Sequence, residues 1–268
     1  MIPEMYIEQW RVNAPWVTLS MIEQDMVISR ALTELYNQPS IKTTLAFRGG
    51  TALNKIFIQP PARYSEDIDF VQIKSAPIGE TIDSIRKALD HWLGEPKRKL
   101  TDRSAKLIYR YTAIDNTIAK LKIEINTTEH FQVLPLENRP FEMSSEWFSG
   151  NTNIVSYHID ELMGTKLRAL YQRRKGRDLF DLWFVLNSKL INLKNVVSIF
   201  EKYSAHNNEP ITRALFEKNL SLKKLSQDFQ SDMTALLPAD SSWDFVSALK
   251  IVEDTIISNL KGDPWKRE

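Results

Sequence analysis

The chain has 268 residues, 43% of them hydrophobic and 26% charged, and its 35 basic and 34 acidic side chains leave a formal net charge of +1. Such a composition is that of a globular protein with a sizeable core, and it excludes polyanion binding through the average field, so an anionic partner must be met by a local patch. The absence of cysteine excludes disulfides and thiolate metal sites.

Met1-Ile2-Pro3-Glu4-Met5 has neither a basic lead nor an apolar run, so no signal peptide is expected. No stretch is apolar over the roughly eighteen residues of a membrane span, and a cytoplasmic protein without a membrane partner is the expectation. Apolar residues from Trp16 to Tyr36 recur at helical spacing, with Glu23, Gln24 and Arg30 between them, and the helix should close at Asn37-Gln38-Pro39. Lys42 to Arg48 reads as a short buried strand, and Thr51 to Phe57 as a brief helix stopped by Pro60-Pro61. A strand over Asp67 to Ile73 and an amphipathic helix over Ile82 to Leu93 follow. Leu107 to Thr112 and Ala119 to Asn126 form a predicted antiparallel hairpin turned at Asp115-Asn116. Residues 135–153 read as loop, broken by Pro140 and Gly150-Asn151, and from His158 onward the pattern is almost wholly helical. The domain boundary is placed at 150.

Two segments carry the chemistry. Arg48-Gly49-Gly50-Thr51-Ala52-Leu53 sets a glycine pair between a predicted strand and a predicted helix, where backbone amides bind phosphate and the main chain can approach closely. Arg63-Tyr64-Ser65-Glu66-Asp67-Ile68-Asp69-Phe70 comes about one helix later. On a strand, Asp67 and Asp69 share one face while Ile68 and Phe70 take the other. Two carboxylates so placed repel unless a cation lies between them, and hard divalent ions such as Mg²⁺ favour carboxylate and phosphate oxygens. Glu124 shares the polar side of its strand with Lys120 and Lys122, as a third ligand or as a solvated partner of a lysine. Arg63 and Ser65 either bond a triphosphate or steady the turn.

Further along, Lys166, Arg173 and Arg177 fall near one helical face, and Gly176 offers a break before a second helix. Asp178 and Asp181 there cap a helix, pair with Arg177, or serve the chemistry. The four histidines have no metal-ligand spacing, and no Walker A, Gly-x-Gly-x-x-Gly or Gly-x-Ser-x-Gly pattern occurs.

Together, Gly49 to Leu53, Arg63 to Phe70, Lys166 and Arg177-Asp178-Leu179-Phe180-Asp181-Leu182 resemble the AbiEii/AbiGii toxin family of the polymerase-beta-like nucleotidyltransferase superfamily. Many members are toxins of bacterial type IV toxin–antitoxin or abortive-infection systems. The resemblance implies an α+β fold. Residues 1–150 would form a nucleotidyltransferase core with a mixed sheet and an N-terminal helix, and residues 151–268 a mainly helical region. It implies an enzyme that transfers NMP from an NTP to an acceptor, by expectation RNA at a tRNA 3′ end. Nucleotidylation of a protein, a catalytically silent interaction module and a metal-dependent nuclease are the alternatives. Gly49, Gly50 and Thr51 would then cradle the triphosphate together with Arg63, Ser65 and Arg177. Asp67 and Asp69, with Glu124 in the third carboxylate's place, would hold one or two Mg²⁺ ions, for which Mn²⁺ can substitute. Lys166 would contact the nucleotide phosphates, and the essential late acid is Asp181 or Asp178, with Asp181 favoured. An NTP, an RNA acceptor and a cognate antitoxin are the implied partners. Lys97, Arg98, Lys99, Arg103 and Lys106, with the cluster from Arg173 to Arg177, are candidates for the RNA phosphates.

Overall fold

Helix α1 (Glu4–Trp10) leads into α2 (Leu19–Tyr36), which starts where the Thr18 hydroxyl accepts the Met21 amide rather than at Trp16. The computed structural model describes residues 2–206, 208 and 210–266. Helix α2 closes at its C-cap Asn37, as expected, and Pro39 then opens a further short helix. Pro39 sits in the first turn of α3 (Pro39–Thr44), where a missing amide hydrogen costs nothing, and this confines the predicted strand to β1 (Leu45–Arg48). Helix α4 (Gly49–Ala52) runs on as a π-helical turn, Leu53–Phe57.

The remaining elements of the first unit are β2 (Asp67–Gln72), α5 (Gly79–Leu93), β3 (Lys97–Leu100), β4 (Ser104–Thr112), β5 (Ile118–Asn126), β6 (Glu137–Ser144) and β7 (Ser149–Ser156). They form one sheet in the order β3-β4-β5-β2-β1-β7-β6. It is mixed: β2 lies parallel to β5 and β1 to β7, while the other neighbours are antiparallel.

The loop expected over 135–153 is instead the hairpin β6–β7. Pro140, opposite Asn153, belongs to an outermost strand, where a residue that cannot donate to the ladder is tolerated. For the same reason the first unit runs to Tyr157 and not to 150. Strand β7 is part of the sheet, with Ser156 opposite Phe47 and its hydroxyl donating to the Phe47 carbonyl at 2.9 Å.

One face of this sheet carries the core. Ile68, Phe70, Leu107, Tyr109, Leu121, Ile123 and Ile125 are all buried, each such side chain contributing roughly 1.5–3 kcal/mol. Phe70 sets its ring against Phe47 and Tyr36, at centroid distances of 5.7 and 6.0 Å. Helix α2 packs on α5 and β7, and Arg30 lies over the rings of Trp92 and Trp147, at 4.1 and 4.9 Å.

Glu23 and Gln24, polar residues between the apolar positions of α2, do not face solvent. Both are buried, and each is satisfied. Gln24 donates to the carbonyls of Glu66 and Lys120, both at 3.0 Å, and Glu23 accepts the Ile114 amide at 2.7 Å. Neighbouring Asp25 accepts from the Trp10 indole at 2.8 Å and from Lys55 at 2.6 Å.

The second unit, His158–Glu268, is helical. It contains α6 (Ile159–Gln172), α7 (Gly176–Asn187), α8 (Leu193–His206), α9 (Arg213–Lys223), α10 (Gln227–Ser231) and α11 (Phe245–Thr255). Gly164 lets α6 approach α8 closely, since a Cβ there would stand 2.4 Å from Ile199 Cγ2. Among the described residues no helix is long and apolar enough to cross a membrane.

Candidate active site

Strand β1 delivers Arg48 opposite Asp69 of β2, and the chain then turns at Gly49 with φ of +84°. An L side chain rarely adopts that conformation. Space forbids one too, because a Cβ on Gly49 would lie 2.6 Å from Asp69 Oδ2. The bare main-chain bend therefore rests directly on the Asp69 carboxylate. Asp67 and Asp69 are half-buried on one face of β2 while Ile68 and Phe70 are buried on the other, the alternation expected of a strand.

The turn is clamped from inside. Arg63 is 1% exposed, and a Cβ on Gly50 would stand 2.2 Å from its Nη2. Its guanidinium lies under the diglycine and donates to the Tyr64 carbonyl at 3.0 Å, which steadies the turn. Thr51 is buried; its hydroxyl meets Ser65 Oγ at 2.7 Å and donates to the Asp67 carbonyl, fixing where β2 begins relative to α4. Asn54, which its sequence context does not mark out, donates to the Gly50 carbonyl at 3.0 Å and accepts the Ala62 amide at 2.9 Å.

Burial, and then the neighbouring charge of Asp67, push the Asp69 carboxyl above its ordinary range, with Arg48 and Lys122 working in the opposite sense. Strand β5 brings Lys122 opposite Asp67 and Glu124 opposite Asp69. The Lys122 ammonium lies 2.7 Å from Asp67 and 3.6 Å from Glu124, and Lys106 holds Glu124 at 2.8 Å. Burial lowers the Lys122 pKa, but Asp67, Glu124 and Asp69 override that and raise it.

No group of three or more metal-binding side chains is preassembled among the described residues. Glu124 is on the expected face and directed to lysines, so it does not complete a three-carboxylate cluster with Asp67 and Asp69. The aspartate pair still suits a hard divalent cation: both groups are carboxylates on one face, and the charge of one disfavours ionisation of the other.

The late motif belongs to the second unit. Lys166 bridges Asp178 and Asp181, at 3.0 Å each, and all three side chains are buried. Arg173 adds two bonds to Asp178, of 2.7 and 2.8 Å, so three donor contacts beside that of Lys166 to Asp181 order this group. Burial alone would raise the Asp178 carboxyl, but Lys166 and Arg173 bring it down to about 2. Asp178 is thereby the anchor of two cations. Arg177, a candidate phosphate ligand, is turned to Asp232, with backbone and Nε contacts of 3.0 and 3.2 Å.

A family profile described as "Nucleotidyl transferase AbiEii toxin, Type IV TA system" matches residues 30–251. Among solved structures, the chain is similar to the nucleotidyltransferase toxin MenT4 of Mycobacterium tuberculosis, with a TM-score of 0.71 at 18% identity, over 98% of this chain and 91% of that one. It is also similar to JHP933 of Helicobacter pylori, with a TM-score of 0.53 at 19% identity, over 91% and 94% of the two chains. No curated protein sequence matches it. At these identities the structural likeness speaks for the fold, a mixed-sheet α+β nucleotidyltransferase core followed by helices.

Proposed function

The chain belongs to the AbiEii family of nucleotidyltransferase toxins of type IV toxin–antitoxin systems, and we propose that it transfers NMP from an NTP to an RNA acceptor, using Asp67 and Asp69 as the metal-binding pair. The observation that carries this reading is the contact of the Gly49 bend with the Asp69 carboxylate, on the sheet face that also bears Asp67. A polyphosphate laid along the diglycine main chain would find both carboxylates beside it. Bound there, Mg²⁺ would offset the charge that builds on the α-phosphate and the departing pyrophosphate.

The chain's own groups do the positioning. Thr51 and Ser65 lock the bend to the start of β2, and Arg63 supports it from beneath. The acceptor hydroxyl oxygen attacks the α-phosphorus, its proton passes to solvent, and the bond to pyrophosphate breaks, releasing pyrophosphate. In the second unit, Lys166 is the proposed phosphate cation and Asp181 the late acid, while Asp178 orders them. A cognate antitoxin is the partner that the family implies; the RNA acceptor, a tRNA 3′ end, is part of the proposal.

The test is to incubate the full-length protein with each α-labelled NTP, Mg²⁺ and total RNA. Wild type should label RNA, and Asp67→Ala or Asp69→Ala should lower transfer by at least about a hundredfold, as loss of a principal source of transition-state stabilisation does. Either variant retaining full transfer would overturn the site assignment. Label on protein would replace the acceptor, and RNA cleavage without label would replace the reaction.

A further inference from the structure

The register of the sheet places a row of cations beside the aspartates. Residues directly opposite in neighbouring strands face the same side. From Asp67 and Asp69 the ladder leads to Lys122 and Glu124 on β5, then to Ile108 and Lys106 on β4, and then to Lys97 and Lys99 on β3. Arg110 faces Lys120 on this same side. Lys97, Lys99, Arg110 and Lys120 are exposed and Lys106 is half-buried, whereas the alternate residues Leu107, Tyr109, Leu121 and Ile123 belong to the core.

The outer face of β3, β4 and β5 thus holds one acid, Glu124, already shared by Lys106 and Lys122. Among the described residues, Lys97, Lys99, Arg110 and Lys120 have no ion-pair partner. Protection of the sheet edge accounts for lysines on the outermost strand, but not for Arg110 and Lys120 on interior strands. A chain with a net charge of +1 has concentrated unpaired cations on the one sheet face that also carries the aspartates.

We propose that this face is the track of the RNA acceptor, with the reacting hydroxyl at Asp67 and Asp69 and the preceding phosphates crossing β5, β4 and β3. At the usual spacing of strands, the track is about 14 Å from β2 to β3, the reach of a short single strand. The inference rests on RNA being the acceptor. It also sets aside Arg98, which pairs with buried Leu107 and so lies on the opposite face, and the Arg173 and Arg177 side chains, which are held by Asp178 and Asp232.

The test compares full-length wild type with Lys97→Glu/Lys99→Glu/Arg110→Glu, using a total tRNA fraction as the probe. The triple variant should raise the KM for tRNA by about tenfold or more and leave the KM for NTP unchanged. Direct tRNA binding should lose salt dependence, its log–log slope shrinking by about 2, as expected when three phosphate contacts to a single strand are lost. Arg98→Glu, on the other face, should behave as wild type, and the neutral Lys97→Gln/Lys99→Gln pair should give an intermediate KM. Unchanged tRNA binding and KM in the triple variant would overturn the track, as would an equal loss in Arg98→Glu. Failure of wild type to label any RNA would instead mark failure of the acceptor reading, and the binding comparison would still decide whether this face holds RNA.

Discussion

The ammonium of Lys122, 2.7 Å from Asp67 and 3.6 Å from Glu124, would compete with a divalent cation for the Asp67 carboxylate. It offsets the repulsion of the carboxylates and must give way for a dication to take two of them. An ion pair exposed to this degree is worth roughly 0.2–1 kcal/mol, so the obstacle is small. Lys122→Gln is expected to bind Mn²⁺ about two- to fivefold more tightly, as read by titration calorimetry on the free protein; equal or weaker binding would show that the lysine does not compete. The aspartate pair was legible in the sequence because a strand's period of two needs only local spacing. Lys122 was not, because its place opposite Asp67 comes from the pairing of β2 with β5, which nothing local encodes. Arg63 was ambiguous for a related reason: its burial under Gly50 depends on a chain reversal between α4 and β2.

At the scale of elements, the position of β2 beside β5 is pinned by a residue of α2. Gln24 donates to the carbonyl just before β2, that of Glu66, and to Lys120 within β5, and its own oxygen accepts the Tyr111 hydroxyl. Gln24→Ala leaves three groups without their partner, at roughly 1–3 kcal/mol for a buried group left unsatisfied. Chemical denaturation should show a loss in that range, and hydrogen exchange should quicken at the starts of β2 and β5, with nucleotide transfer reduced. An unaltered exchange pattern would refute the pin. Helix α2 itself was legible, but the burial of the polar residues Glu23 and Gln24 within it was not. Helical periodicity reports which residues are apolar, and here the far side is covered by the β4–β5 hairpin, with Ile114 bonded to Glu23. The β6–β7 hairpin stayed hidden because Pro140, which the edge strand β6 can absorb, and Gly150, in the interior strand β7, are both loop signals, and β3, with all four residues exposed, has no apolar alternation to detect.

At the scale of the whole molecule, the two units are held by different physics, and acid should separate them. The first rests on a sheet with an apolar inner face. The second carries, at the start of its helical array, the buried Lys166–Asp178 pair, to which the half-exposed Arg173 adds a second cation. Asp178 is held at about 2 in the folded chain against an ordinary 3.8, so the folded state binds fewer protons than the unfolded one between these values. The stabilisation is complete above pH 4 and is lost as pH falls through 2, and for such a shift it amounts to about 2 kcal/mol. Hydrogen exchange along α6 and α7 should accordingly accelerate between pH 4 and 2 in wild type, while β2 and β5 keep their protection over the same range. Asp178→Asn should show the faster α6 and α7 exchange already at pH 7, since Lys166 and Arg173 lose their shared counter-charge, with little further change on acidification. Equal acid sensitivity of the helices in wild type and Asp178→Asn would mean that another carboxylate governs the second unit.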